Sequence, residues 1–226
     1  MGKPGSLATT HGDRPGLPRG RTSLPRDAVR SAQRERLIRA LIASIAERGY
    51  AEVTIADIAR RARVSRGAFY DHFPDKQAGF IAANEAGAEV MFASITATTR
   101  AQPPCTPAPE RLRAALGAYL AFLAREPEFA RTFLIDVYAA GPAALERLMA
   151  TQERFAANTR TWHRRARREH PDWPVVPADA YLALVGALHQ LVIARVRTHR
   201  TAELPQLEDT ALRLHLAVLT AWPDDR

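Results

Sequence analysis

Thr54 to Lys76 reads TIADIARRARVSRGAFYDHFPDK, and this stretch decides the fold. Ile55, Ile58, Ala59 and Ala62 recur at the i, i+3, i+4, i+7 spacing of one face of an amphipathic helix. Thr54 precedes that helix and Asp57 lies three residues on, a capping-box pattern with Asp in the place of Glu. Ser65 opens a second short helix, because a serine hydroxyl accepts from a free first-turn N–H. In that second helix Ala68, Phe69 and Phe73 point inward, while Arg66, Gly67, Tyr70 and His72 point outward. Pro74 ends it, since proline lacks the donor and clashes with the preceding turn. Two short helices at a steep angle, the second with Arg, Gly, Tyr and His on its open face, form a helix-turn-helix pattern.

Upstream, the spacing predicts a helix over about 30–48. Leu37, Ile38, Leu41, Ile42 and Ile45 form its stripe, and Gly49 terminates it in a left-handed conformation. Residues 1–28 are rich in Pro, Gly and Arg, with almost no apolar periodicity. They are expected to be a disordered basic tail. Arg19, Arg21 and Arg26 within it suit either an arm that tracks phosphates or plain solvated charge.

Downstream, Asp75 caps a long helix from Lys76 to about Thr99. The breakers QPPCTPAP, Gly141-Pro142, HPDWPVVP and Pro205 then divide the chain into further helices, with no strand alternation and no solenoid repeat. The fold class is therefore all-α. A three-helix DNA-binding domain is expected over 29–78 and a larger helical domain over 79–226. The helix from Asp179 is apolar around much of its circumference, which implies burial in the core or against another subunit.

Charge points the same way. The net charge is +8. Residues 1–76 hold 15 Lys and Arg against 8 Asp and Glu, so nearly all of the excess lies there. A basic module on a near-neutral body favours a nucleic-acid partner. The lone Cys105 excludes an internal disulfide framework and a multi-cysteine zinc site. The dispersed histidines lack metal-ligand spacing. No nucleophile–base set or phosphate loop is present, so no catalytic residue, cofactor or metal is expected. No signal-peptide pattern is seen and no run approaches the roughly 18 apolar residues of a membrane span, so a cytoplasmic protein away from the membrane is expected.

From Arg34 to Asn84 the sequence resembles the TetR family of transcriptional regulators. The matching pieces are the helix ending in Gly49-Tyr50, the TIADIARRA helix, VSRGAFYDHF, and Pro74-Asp75-Lys76 ahead of a hydrophobic helix. The resemblance implies a homodimer on a double-stranded operator, most simply a repressor released by a small effector. A DNA-binding activator, or a nucleoid-type binder without a ligand, is the alternative. It implies DNA contacts by Thr54, Ser65, Arg66, Gly67, Tyr70, His72 and Lys76, with Arg66 suited to a guanine edge. Arg63 departs from the glycine often found at the turn. A non-glycine there costs about 1 kcal/mol if its φ is positive.

For an apolar effector pocket the candidates are Phe92, Tyr119, Phe122, Phe133, Tyr138, Met149, Phe155 and Trp162. Each is equally readable as plain core. The dimer candidates are Leu184, Leu188, Leu191, Leu212, Leu216 and Leu219, in the last two helices.

Overall fold

The computed structural model describes residues 6–9 and 25–223. Its α-helices are α1 (Arg26–Arg48), α2 (Ile55–Ala62), α3 (Arg66–Tyr70), α4 (Lys76–Arg100), α5 (Ala108–Arg125), α6 (Pro127–Leu134), α7 (Pro142–Glu169), α8 (Ala178–Arg197) and α9 (Glu208–Leu219). Short 3-10 segments cover Asp136–Ala140 and Thr201–Leu207. No strand occurs among the described residues, so the all-α reading holds.

Two compact units divide the chain: residues up to Gly87 with Glu126–Leu145, and Ala88–Arg125 with residues from Glu146 onward. The expected boundary at 78/79 does not coincide with any of the three breaks, at 87/88, 125/126 and 145/146. The first unit takes in α6 and the 3-10 segment after it, because α6 packs on α1. Sequence order does not reveal that return of the chain.

In the first unit Leu37, Leu41, Ile42 and Ile45 of α1 are fully buried beside Ile58, Phe69 and Phe80. Gly49 ends α1 at φ 84° and ψ 156°. Its positive φ was expected, but its ψ lies in the extended mirror region open essentially to glycine alone. Arg63 adopts φ 56° and ψ 45°, the left-handed conformation. Thr54 and Asp57 complete both halves of the capping box. The Ser65 hydroxyl accepts from the Ala68 N–H at 3.0 Å, and the Asp75 carboxylate accepts from Ala78 N–H at 2.7 Å.

The N-terminal tail differs from expectation at both described places. Helix α1 begins at Arg26, inside the expected tail. Ser6–Thr9 is also ordered: the Ser6 N–H, Ser6 hydroxyl and Leu7 N–H all donate to the buried Glu126 carboxylate, at 2.9, 2.7 and 2.9 Å. Arg19 and Arg21 lie outside the described residues.

In the second unit α5 packs on α9 and on Thr201–Leu207, and α8 packs on the same segment and on α9. Val176, Ala180, Tyr181, Leu184 and Leu219 form one core cluster. By length and composition α8 is apolar enough to cross a membrane, contrary to the sequence expectation that no run approaches such a span. Its apolar residues are divided in two. Tyr181, Leu184, Leu188, Val192 and Val196 are buried in the unit, while Leu182, Ala183, Gly186, Ala187, Gln190, Leu191 and Ala194 line its open side.

That division corrects the dimer candidates. Leu184, Leu188, Leu212 and Leu219 are buried within the subunit, and Leu216 packs against Ala108, Ala166 and Trp173. Only Leu191 faces outward. Most of the large apolar residues are drawn to the core, and the open face is left mainly to smaller ones, with Leu182 and Leu191 among them.

Candidate nucleic-acid interface

Five residues of α3 cannot sustain a helix by themselves, because nucleation costs more than so short a run returns. The anchor is Phe69, the one buried residue of α3. Its ring packs edge-on to Tyr70 at 5.8 Å and tilted against Phe73 at 5.5 Å. With Phe69 held inside, Arg66, Gly67 and Tyr70 lie on the exposed side, and half of the Tyr70 surface is open.

The electrostatics follow from which cations have partners. Arg61 forms two bonds to the Glu47 carboxylate, at 2.5 and 2.6 Å. Arg48 reaches Asp57 at 2.8 Å, and Arg60 pairs with the same carboxylate. The Arg48 bond, joined by those from Thr54, holds the Asp57 carboxyl well below the usual range. The side chains of Arg63 and Arg66, by contrast, make no ion pair or hydrogen bond with another described residue, and both residues are exposed. The unneutralised positive charge of α2, the turn and α3 therefore sits at the turn and at the start of α3. A free guanidinium in that place can donate to phosphate or to a guanine edge.

Two expected outward donors are placed otherwise. His72 is half-buried, its Nε2 is sealed without a partner, and burial pushes its pKa down, helped by Arg30 and Arg34. The backbone turns back after α3: Arg30 donates to the Asp71 carbonyl at 3.3 Å, and Arg34 lies over the Phe73 ring. Lys76 is also turned inward. Its ammonium donates to the carbonyls of Tyr50 at 2.8 Å and Val53 at 3.0 Å, and sits 4.2 Å from the Tyr50 ring centroid. Burial lowers its pKa.

With two of its three donors engaged, Lys76 ties the α1–α2 connection to the start of α4. Lys76→Met is therefore expected to cost about 1.5–3 kcal/mol of stability in chemical denaturation, the range for hydrogen bonds made by a charged group. A side chain that only touched phosphate would leave stability unchanged and lower the salt slope of DNA binding by about one.

Thr54 and Ser65 remain exposed at the N-termini of α2 and α3, where N–H groups favour anions. Their side-chain oxygens are already engaged as caps. Arg63, which lies outside the sequence-based DNA set, is a further free cation on this face. Its signal was present, a cation at the turn, but its freedom depends on the pairing of its neighbours.

The effector candidates are scattered. Phe92, Tyr119 and Phe155 come together in the second unit, with ring centroids 4.5 Å apart for Phe92–Phe155 and 5.3 Å for Tyr119–Phe155. Phe122 is buried on α5. Trp162 belongs to the core beside Trp173 and donates to the Ala108 carbonyl at 3.1 Å. Phe133 stacks on Phe129 in the first unit. Tyr138 and Met149 have 56% and 59% of their surface exposed, so neither lines an enclosed space. Residue type alone does not show which face of a helix is covered.

Residues 37–83 match the family of bacterial regulatory proteins, tetR family. No curated protein matches the chain. Among solved structures, the fatty acid degradation regulator FadR from Bacillus halodurans superposes with a TM-score of 0.72 at 17% identity, over 81% of this chain and 94% of that one. FadR from Bacillus subtilis, in complex with stearoyl-CoA, gives 0.70 at 16% identity, over 80% and 97%. A tetR-family regulatory protein from Rhodococcus RHA1 gives 0.63 at 22%, over 84% and 98%. The helix-turn-helix with its free arginines thus lies inside the segment that matches the tetR family, and the chain as a whole shares the fold of these regulators.

Proposed function

We propose that this protein is a homodimeric cytoplasmic repressor, released from a near-palindromic operator by a small hydrophobic or aromatic effector. The observation that carries the reading is the exposed face of α3, where Arg66 stands unpaired beside the open Tyr70. On this reading Arg66 reads a base edge, Arg63 and Tyr70 hold phosphates, and each subunit places one α3 in a major groove. Helix α4 is continuous from Lys76 to Arg100 and carries the signal. The effector binds the released geometry more tightly and changes the separation of the two recognition helices. The apolar character of the effector is supported by the Phe92–Phe155–Tyr119 group. It is also supported by the fold shared with FadR of Bacillus subtilis, which binds stearoyl-CoA.

Genome-wide mapping of bound DNA tests the reading, followed by titration of the recovered sites with purified protein. Binding to a two-fold-related sequence upstream of genes that are derepressed on deletion is the expected result. Uniform coverage without a shared motif would reject it. Arg66→Ala is expected to change the preferred sequences, and Tyr70→Ala to weaken all of them.

The dimer surface in this proposal is the open side of α8, with Ala183, Gly186, Ala187 and Leu191 at its centre. A Cβ placed on Gly186 meets nothing within 4 Å of its own subunit, so a second helix has room to approach. Ala187→Glu is expected to raise the dimer dissociation constant by at least about tenfold in sedimentation, since it buries an unpaired charge. An unchanged dimer would place the interface elsewhere.

A further inference from the structure

Tyr119 sits on α5 with 8% of its surface reachable. Among the described residues its phenol makes no hydrogen bond. Its oxygen is not closed off as His72 Nε2 and His163 Nε2 are, so the little surface that Tyr119 keeps includes that oxygen. A phenylalanine would fill the same volume, so the hydroxyl is a feature that packing alone does not require. Burial raises the phenol's pKa, so it stays a neutral O–H donor across the physiological range.

The surroundings are apolar and lead outward. Phe155 of α7 meets the Tyr119 ring edge-on and the Phe92 ring of α4 at a tilt of 37°. Phe155 is half-buried, whereas Phe92 and Tyr119 are buried. Arg154 lies 3.8 Å from the Phe92 ring centroid and pairs with Glu89 at the exposed end. The row thus runs from a surface ion pair through two phenylalanines to the single phenol of Tyr119. The one guanidinium of this row is separated from the phenol by two rings and is already neutralised. A carboxylate beside Tyr119 would be an uncompensated buried charge.

We infer that Tyr119 is a specificity-determining donor of the effector site, and that the effector is a neutral molecule with a ring-sized apolar body and one carbonyl-type oxygen. The inference rests on the effector-released reading of the protein. Phe92 and Phe155 supply the apolar walls, and Phe155 is the side chain that must shift to admit a ring. The phenol selects the oxygen, because a site built to donate discriminates against an analogue that cannot accept.

The test is titration of the full-length protein with two naphthalenes of nearly equal shape, 2-acetylnaphthalene and 2-ethylnaphthalene. Wild type is expected to bind the ketone about tenfold more tightly, the equivalent of one net hydrogen bond. Tyr119→Phe is expected to fold with an unchanged or higher Tm and to bind both probes with the affinity of the hydrocarbon. If both probes bind but the ketone has no advantage, or keeps it in Tyr119→Phe, the role of the phenol is overturned and the effector reading stands. If neither probe binds wild type while the operator still does, the inference is overturned together with the apolar-effector reading.

Discussion

Phe69→Ala is expected to remove about 3–5 kcal/mol from the stability of the DNA-binding unit and to abolish operator binding. The magnitude is that of a fully buried phenylalanine truncated in a core that cannot collapse, and Phe69 has no exposed surface. The functional loss is larger than the cavity alone implies. Helix α3 has five residues and a single buried one, so Phe69 is its attachment to the unit. The ring also lies where Gly79 of α4 comes close: a Cβ built on Gly79 would be 3.2 Å from the Phe69 ring. Removing Phe69 therefore loosens α3 from α4 as well as from Phe73. Thermal denaturation and fluorescence anisotropy on operator DNA give the two readouts. A fall in affinity of at least about a hundredfold is expected, since unplacing α3 forfeits its base and phosphate contacts together. Phe69→Leu, which keeps most of the volume, is expected to cost less than about 1.5 kcal/mol and to keep binding. An alanine variant that binds within threefold of wild type would show that α3 is held by something other than Phe69.

Gly87→Ala in α4 is the second large effect. On propensity alone an alanine in a helix interior stabilises by about 1 kcal/mol. Here the sign is expected to reverse. The new Cβ would stand 2.1, 2.5 and 2.9 Å from three carbons of the Phe129 ring. Phe129 is fully buried and stacks on Phe133 at 5.2 Å, so it has nowhere to move. Overpacking of this kind costs about 1–3 kcal/mol. Denaturant titration of Gly87→Ala, Phe129→Leu and the double variant gives the coupling. The double variant is expected to be more stable than the sum of the two single changes, because shrinking the ring relieves the clash. Simple additivity would mean that the two side chains do not meet. Since α4 also carries the proposed effector response, the same substitution tests whether its close approach to α6 matters for release.

The DNA-binding module was legible in the sequence because everything that specifies it is local. Thr54 with Asp57, Ser65 before Ala68 and Asp75 before Ala78 are caps spanning three residues, and all three form. The apolar spacings of α1 and α2 and the inward set Phe69 and Phe73 are likewise short-range. Arg63 was marked by its departure from glycine, and it takes the positive φ that the turn demands. The family resemblance rests on the same run, which the tetR-family match covers from residue 37 to 83.

The direction of side chains was decided only by tertiary structure. Lys76 carries the charge of a phosphate ligand, yet carbonyls of Tyr50 and Val53, 26 and 23 residues away, draw it inward. Arg61 is neutralised by Glu47 across 14 residues, and this pairing is what singles out Arg63 and Arg66. Glu126 receives Ser6 and Leu7 from nearly the other end of the first unit's sequence. In α8 two of the three leucines chosen for a partner subunit, Leu184 and Leu188, fill the protomer's own core, while Leu191 faces outward with alanines and a glycine. Caps, turns and helical period act over a few residues and are written in order along the chain. Which face is covered, which cation is paired and which hydroxyl is left alone depend on segments far apart in sequence. Only packing brings those segments together.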